Sequence, residues 1–138
     1  MNRDIFKKIS RLRVKEAKTL LENGHYHGAY YLIGYAVECA LKACVAKQVK
    51  RYDFPDKKLA NEAFTHDLSK LIKIAGLSPE FERARQENKE LDVNWAIVKD
   101  WSEAARYDTD ITKTQAEDLY NGCVSRKYGV LTWIRKKW

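Results

Sequence analysis

Apolar residues recur at three- and four-residue spacing along most of the chain, and no segment shows sustained single alternation bounded by hairpin turns. That period belongs to the helix and predicts an all-α protein. The pattern is densest from Gly24 to Lys47. As a helix, this stretch aligns Ala29, Leu32, Ile33, Ala36, Ala40, Ala43 and Lys47 along one side and Tyr31, Tyr35, Glu38 and Lys42 along the opposite one. Its small residues let neighbouring helices approach closely, so it is expected at the centre of a bundle, covered on two sides. A membrane span is the rival reading of so apolar a stretch. Glu38 and Lys42 in mid-segment, and the lack of an uninterrupted apolar block, argue against it.

The remaining elements are placed around this one. A first helix is predicted from about Asp4, as N-cap, to about Glu22, with Ile5, Ile9, Leu12, Glu16 and Leu20 on its inner side and Asn23-Gly24 as its stop. Glu16 needs water at a rim or a cation such as Lys42 or Lys127. The central helix runs to about Arg51, where Pro55 breaks the pattern and a loop of roughly ten residues begins. A short helix follows, with Thr65 as N-cap, Leu68, Leu71, Ile72 and Ala75 inside, and Gly76 at its end. Ser78-Pro79 opens a long fourth segment that reaches Arg106-Tyr107-Asp108. Residues 82–90 are nearly all polar, which leaves room for a break near Asp92 or Asn94; Leu91, Trp95, Val98 and Trp101 restore a buried stripe. Thr112 and Gln115 form a capping box for a last helix of about 25 residues, whose stripe includes Leu119, Cys123, Val130, Leu131 and Ile134 and takes in Lys127. Gly122 and Gly129 lie in that helix as points of close backbone approach or of simple tolerance. The expected architecture is an up-and-down bundle of four long helices plus one short helix, forming a single domain over residues 1–138.

Composition narrows the function. The 138 residues, 45% hydrophobic and 33% charged, suit a packed domain. Cys39, Cys44 and Cys123 show no C-x-x-C pairing and no histidines at zinc-site spacing, so they read as buried thiols of a reducing cytoplasm, with no metal and no cofactor implied. His25 and His27, two apart, do not share a helical face. The amino-terminal stretch lacks the apolar block of a secretory signal. Walker, G-x-G-x-x-G and G-x-S-x-G signatures are absent. The net charge of +7 is concentrated at the two ends, where Arg3, Lys7, Lys8, Arg11, Arg13, Lys15 and Lys18 face only Asp4 and Glu16, and the last thirteen residues carry five cations and no acid. A bundle that brings its terminal helices together gains a positive side, which suits a phosphate backbone or simply keeps the protein soluble.

The succession Ala17 to Ala29 (AKTLLENGHYHGA), then Gly34-Tyr35-Ala36-x-Glu38-x-Ala40-Leu41-Lys42-Ala43, then His66-Asp67-Leu68 and a late Arg106-Tyr107, resembles the HEPN domain family over nearly the whole chain. The resemblance implies a helical bundle that commonly dimerises and works in RNA metabolism or host defence, often beside a minimal nucleotidyltransferase in a toxin and antitoxin pair. Many members are metal-independent ribonucleases built on an Arg followed, after four to six residues, by a His. Arg holds phosphate charge while His exchanges a proton near neutral pH. Here Arg106 is followed by YDTDITKT, and none of the three histidines follows an Arg at that spacing. The leading expectation is therefore a dimeric binding module for nucleotide, RNA or a partner nucleotidyltransferase, with Arg106, Tyr107 and Lys127 as ligand contacts. The alternatives are a divergent RNA endonuclease using Arg106 with His66, and a structural adaptor. Arg106 can instead pair with Asp108 or Asp110, and Tyr107 reads as a packing residue. Glu38 and Lys42 form at least a helical ion pair; with Tyr31 and Tyr35 they line a small polar cleft or a dimer face.

Overall fold

Helices alone build the described part of the protein. The computed structural model describes residues 2–49 and 57–138. Within them the chain forms α1 (Arg3–Glu22), α2 (Tyr26–Gln48), α3 (Lys57–Glu62), α4 (Leu68–Ile74), α5 (Ser78–Glu87), α6 (Lys89–Val98), a 3-10 turn η1 (Glu103–Tyr107), α7 (Lys113–Val124) and α8 (Val130–Arg135). Arg51 and the Pro55 break lie outside the described residues.

The α2 helix is the axis of the bundle, in contact with α1, α4, η1, α7 and α8. Ala29, Ile33, Ala36, Ala40 and Ala43 are buried, as their spacing predicts, and so are Val37, Glu38 and Leu41 from its other sides. Leu32 is half-buried, and Lys47 leaves the stripe to donate to the carbonyl of Lys137 at 3.1 Å. By length and composition α2 is apolar enough to cross a membrane, yet 67% of that window is buried inside the bundle, as for a core helix.

The inner side of α1 differs from expectation. Asn2, not Asp4, is the N-cap, its side chain accepting from the Ile5 amide. Ser10 and Ala17 are the fully buried positions, whereas Ile5 and Leu12 are 44% and 43% exposed. The cause is the close approach of α1 to α2. Small side chains occupy the contact line, and the Ser10 hydroxyl donates to the Ala36 carbonyl at 2.7 Å, where bulky residues would force the two backbones apart. Glu16 is an exposed rim residue paired with Arg13 rather than with Lys42 or Lys127.

The other two long helices are each broken. Asn88 takes extended geometry and its side chain caps the carbonyl of Ala84, so α5 and α6 part there, ahead of Asp92. Helix α6 then ends at Val98, and Trp101 lies outside it. The last helix breaks over residues 125–129. Gly129 sits so close to the preceding turn that an added Cβ would lie 2.5 Å from the Cys123 carbonyl, whereas at Gly122 it would make ordinary contacts. Lys127 consequently stands on an exposed turn, not in an apolar stripe. The α4 helix is capped by Asp67 rather than Thr65, whose hydroxyl accepts from the Asp67 amide. No side chain caps α5. Phe81 meets Trp95 edge-on at 5.1 Å and Trp133 at 4.8 Å, joining α5, α6 and α8 in the core.

Candidate functional site

Glu38 is 1% exposed. A carboxylate at that depth demands partners, and three elements contribute to them. Lys42, one turn along α2, brings its ammonium to 3.3 Å from one carboxylate oxygen. His66, from the segment leading into α4, brings Nδ1 to 3.0 Å from the other. The second ring nitrogen of His66, Nε2, lies 3.2 Å from a Glu103 oxygen on η1. The result is a chain of charge, Lys42–Glu38–His66–Glu103, running from the bundle interior to its surface. A neutral imidazole donates through only one nitrogen, while an imidazolium donates to both carboxylates. Since the two carboxylates approach different nitrogens, they do not converge on one point as ligands of a metal do.

What brings η1 to this place is Trp101. Its indole lies against Gly34 so closely that an added Cβ would stand 2.1 Å from Cε2, and Tyr31 stacks on it at 6.1 Å and on Tyr35 at 6.0 Å. Immediately afterwards the Ser102 hydroxyl accepts from the Ala104 amide and opens the 3-10 turn. In a 3-10 helix residues three apart eclipse one another, so Arg106 rises on the same side as Glu103. The Arg106 guanidinium lies 4.8 Å over the Tyr107 ring. Its charged form is favoured first by Tyr107, with Tyr31 and Glu103 adding to the effect. Among the described residues no carboxylate lies within ion-pair distance of Arg106, Asp108 and Asp110 included. Tyr107 is 73% exposed, which replaces the packing role read from sequence with an open aromatic face, and Phe64, two residues before His66, is 76% exposed.

The groups beneath are chemically quiet. Burial, reinforced by Cys39, Glu38 and Tyr31, pushes the Tyr35 phenol up to about 12, and burial with Glu38 pushes the Cys39 thiol up to about 11. Both stay protonated near neutral pH, so neither supplies a nucleophile there.

Tyr31, Tyr35, Glu38, Lys42, His66 and Arg106 thus share one region, although they are scattered over 76 positions of sequence. Lys127 does not join them. It lies over Tyr128 at 5.7 Å, on the turn held to α6 by the Asn94 amide. His25 and His27 are exposed at the start of α2. The sequence marks Trp101 as a buried residue, which it is, but neither its contact with Gly34 nor the place of Glu103 is visible there. The available signal was Gly34 itself, since a glycine inside a helix costs about 1 kcal/mol relative to Ala and implies a neighbour that needs the space.

No curated protein and no solved structure matches the chain at a significant level. A family model described as HEPN domain matches residues 4–136, nearly the whole length, and the chain therefore belongs to the HEPN family.

Proposed function

We propose that this protein is a non-catalytic HEPN module that binds nucleotide or RNA at the Arg106–Tyr107 edge of η1. The observation that carries the reading is Arg106, a cation stacked on an exposed tyrosine with no carboxylate partner among the described residues. A guanidinium so placed takes a phosphate in bidentate fashion, and the open rings of Tyr107 and Phe64 offer stacking faces to bases. Both His66 nitrogens are occupied by carboxylates, so the imidazole lacks a free nitrogen for taking a proton from a ribose hydroxyl. A homodimer, and a nucleotidyltransferase partner in a toxin and antitoxin setting, belong to the same proposal through the family.

The second reading, a divergent metal-independent ribonuclease, draws support from the His66–Glu103 contact, which holds a histidine beside the element that carries Arg106. One experiment separates the two. Labelled single-stranded RNA is incubated with the protein and a chelator, then followed by anisotropy and on a denaturing gel, with Arg106→Ala alongside. The binding reading expects saturable binding, intact RNA, and affinity at least fivefold weaker in the variant. Cleavage by the parent that disappears in the variant would establish the ribonuclease instead.

A further inference from the structure

The two chain ends meet at a place remote from the η1 edge. Arg3, Lys7 and Arg11 follow one another at four-residue spacing on α1, forming a row with steps of about 6 Å along the helix axis. From the other side comes Trp138, only 9% exposed. Its indole is ringed by cations, with Lys7 Nζ at 5.5 Å, Arg11 Cζ at 5.0 Å and Arg135 Cζ at 5.6 Å from the ring centroid, while Arg3 Nε donates to its carbonyl oxygen. Attraction to the π face gathers these side chains despite their mutual repulsion. Among the described residues no Asp or Glu side chain lies within ion-pair distance of any of the four, and the neighbouring Glu80 is engaged by Lys137 at 2.6 Å. The charged form of Arg135 is disfavoured first by burial and then by the nearby Arg11. Beyond the row, a shallow groove of about 340 Å³ is bordered by Lys47, Lys136 and Lys137 together with Glu80, so cations outnumber the acid there.

We propose that this basic end is a track for the phosphate backbone of a single-stranded nucleic acid, read without regard to base or sugar. Three of the four converging cations are arginines, whose planar forks suit phosphate oxygens, and the regular spacing of Arg3, Lys7 and Arg11 along α1 suits a chain of repeating anions. The indole is covered, so stacking on bases is not the source of attraction. An acidic protein partner fits less well, because stable protein contacts centre on apolar anchors, and the exposed Ile5 and Leu12 fall out of step with the cationic row. This inference goes beyond the reading of the η1 edge and does not depend on it.

The test uses the full chain and labelled twelve-residue homopolymers of deoxythymidylate and uridylate, titrated by anisotropy between 50 and 200 mM salt. Four phosphate contacts give a plot of log K against log salt with a slope of about −2.8 for a single strand. The double variant Lys7→Gln/Arg11→Gln is expected to halve that slope to about −1.4 and weaken binding at least tenfold at low salt. DNA and RNA should lose equally. An unchanged slope in the variant overturns the proposal, as does competition by poly-glutamate at the same charge concentration, which would assign the surface to acidic polypeptide. Where the double variant does not fold, as judged by circular dichroism, Arg135→Gln replaces it and is held to a slope reduced by one contact. Arg106→Ala, measured alongside, reads the other site. A loss confined to that variant sinks the basic track and spares the edge, and a loss confined to the double variant does the reverse.

Discussion

Two charged regions of this small bundle solve opposite problems. In the cleft beside α2, a buried carboxylate is satisfied by a lysine and a histidine, and the histidine ties η1 to the interior. At the basic end, Lys7, Arg11 and Arg135 gather around the Trp138 ring while Arg3 donates to the Trp138 main-chain oxygen, and no Asp or Glu side chain among the described residues neutralises them. Charge in the first region is internal structure, and its removal is felt by the fold. In the second it lacks an Asp or Glu partner among the described residues, and on the proposed reading its removal is felt mainly by binding.

The largest expected effect lies in the cleft. Glu38→Gln strips Lys42 of its counterion in a site where the lysine side chain is 15% exposed. Breaking a buried pair from one side costs several kcal/mol, and with Lys42 able to reach some water we expect a loss of about 3 kcal/mol in urea unfolding. A loss below about 1 kcal/mol would erase the contrast between the two regions. Next comes Gly34→Ala, which drives a methyl group into the Trp101 indole. Overpacking of this kind costs about 2 kcal/mol. Since Trp101 leads directly into η1, the variant should also lose the RNA affinity proposed for Arg106, even at temperatures where it remains folded.

The smallest effect compares a thiol from each region. Burial pushes both thiols up, with Glu38 adding to the rise at Cys39 against Tyr35, Lys42 and Arg13, and with Lys47, Arg3 and Lys7 opposing it at Cys44, so that each comes to about 11. Both folded values lie above the unfolded one of 9.0. The contribution is therefore complete below about pH 9 and is lost as pH rises toward about 11, because there the unfolded chain releases protons that the folded chain retains. By pH 10 each thiol should cost about 1 kcal/mol. Denaturation curves at pH 8 and pH 10 should show that drop, and Cys39→Ala should remove its share. A pH-independent stability would contradict the assigned burial of these thiols.

Much of the fold was legible because local chemistry acts over one or two turns. The Thr112–Gln115 capping box forms as its spacing predicts, and Asn23 ends α1. The misread stripes were decided by packing rather than by period. Ile5 and Leu12 belong to an apolar stripe by periodicity, yet the side of α1 that is buried was chosen by how closely α2 could approach, and Ser10 with Ala17 allowed the shorter distance. The continuous last helix was lost to a turn that Gly129 fits sterically and that the Thr132 hydroxyl braces through the Ser125 carbonyl at 2.7 Å. That turn carried Lys127 out of the stripe. Of the candidate site, Arg106, His66, Glu38 and Lys42 were visible as residue types. Glu103 was not, since a surface glutamate in a polar segment has no distinguishing pattern until a histidine lies 3.2 Å away.

By itself the sequence determined the helical class, the central place of α2, the Thr112–Gln115 capping box, the stop at Asn23 and the concentration of cations at both ends, all properties set by period, propensity and composition. The tertiary structure decided which cations remained unpaired and which were neutralised. It placed His66 between Glu38 and Glu103 and ringed Trp138 with charge. Pairing depends on distances of a few ångströms between residues far apart in the chain, and only the packing of Trp101 on Gly34 and of the terminal helices on α2 fixes those distances.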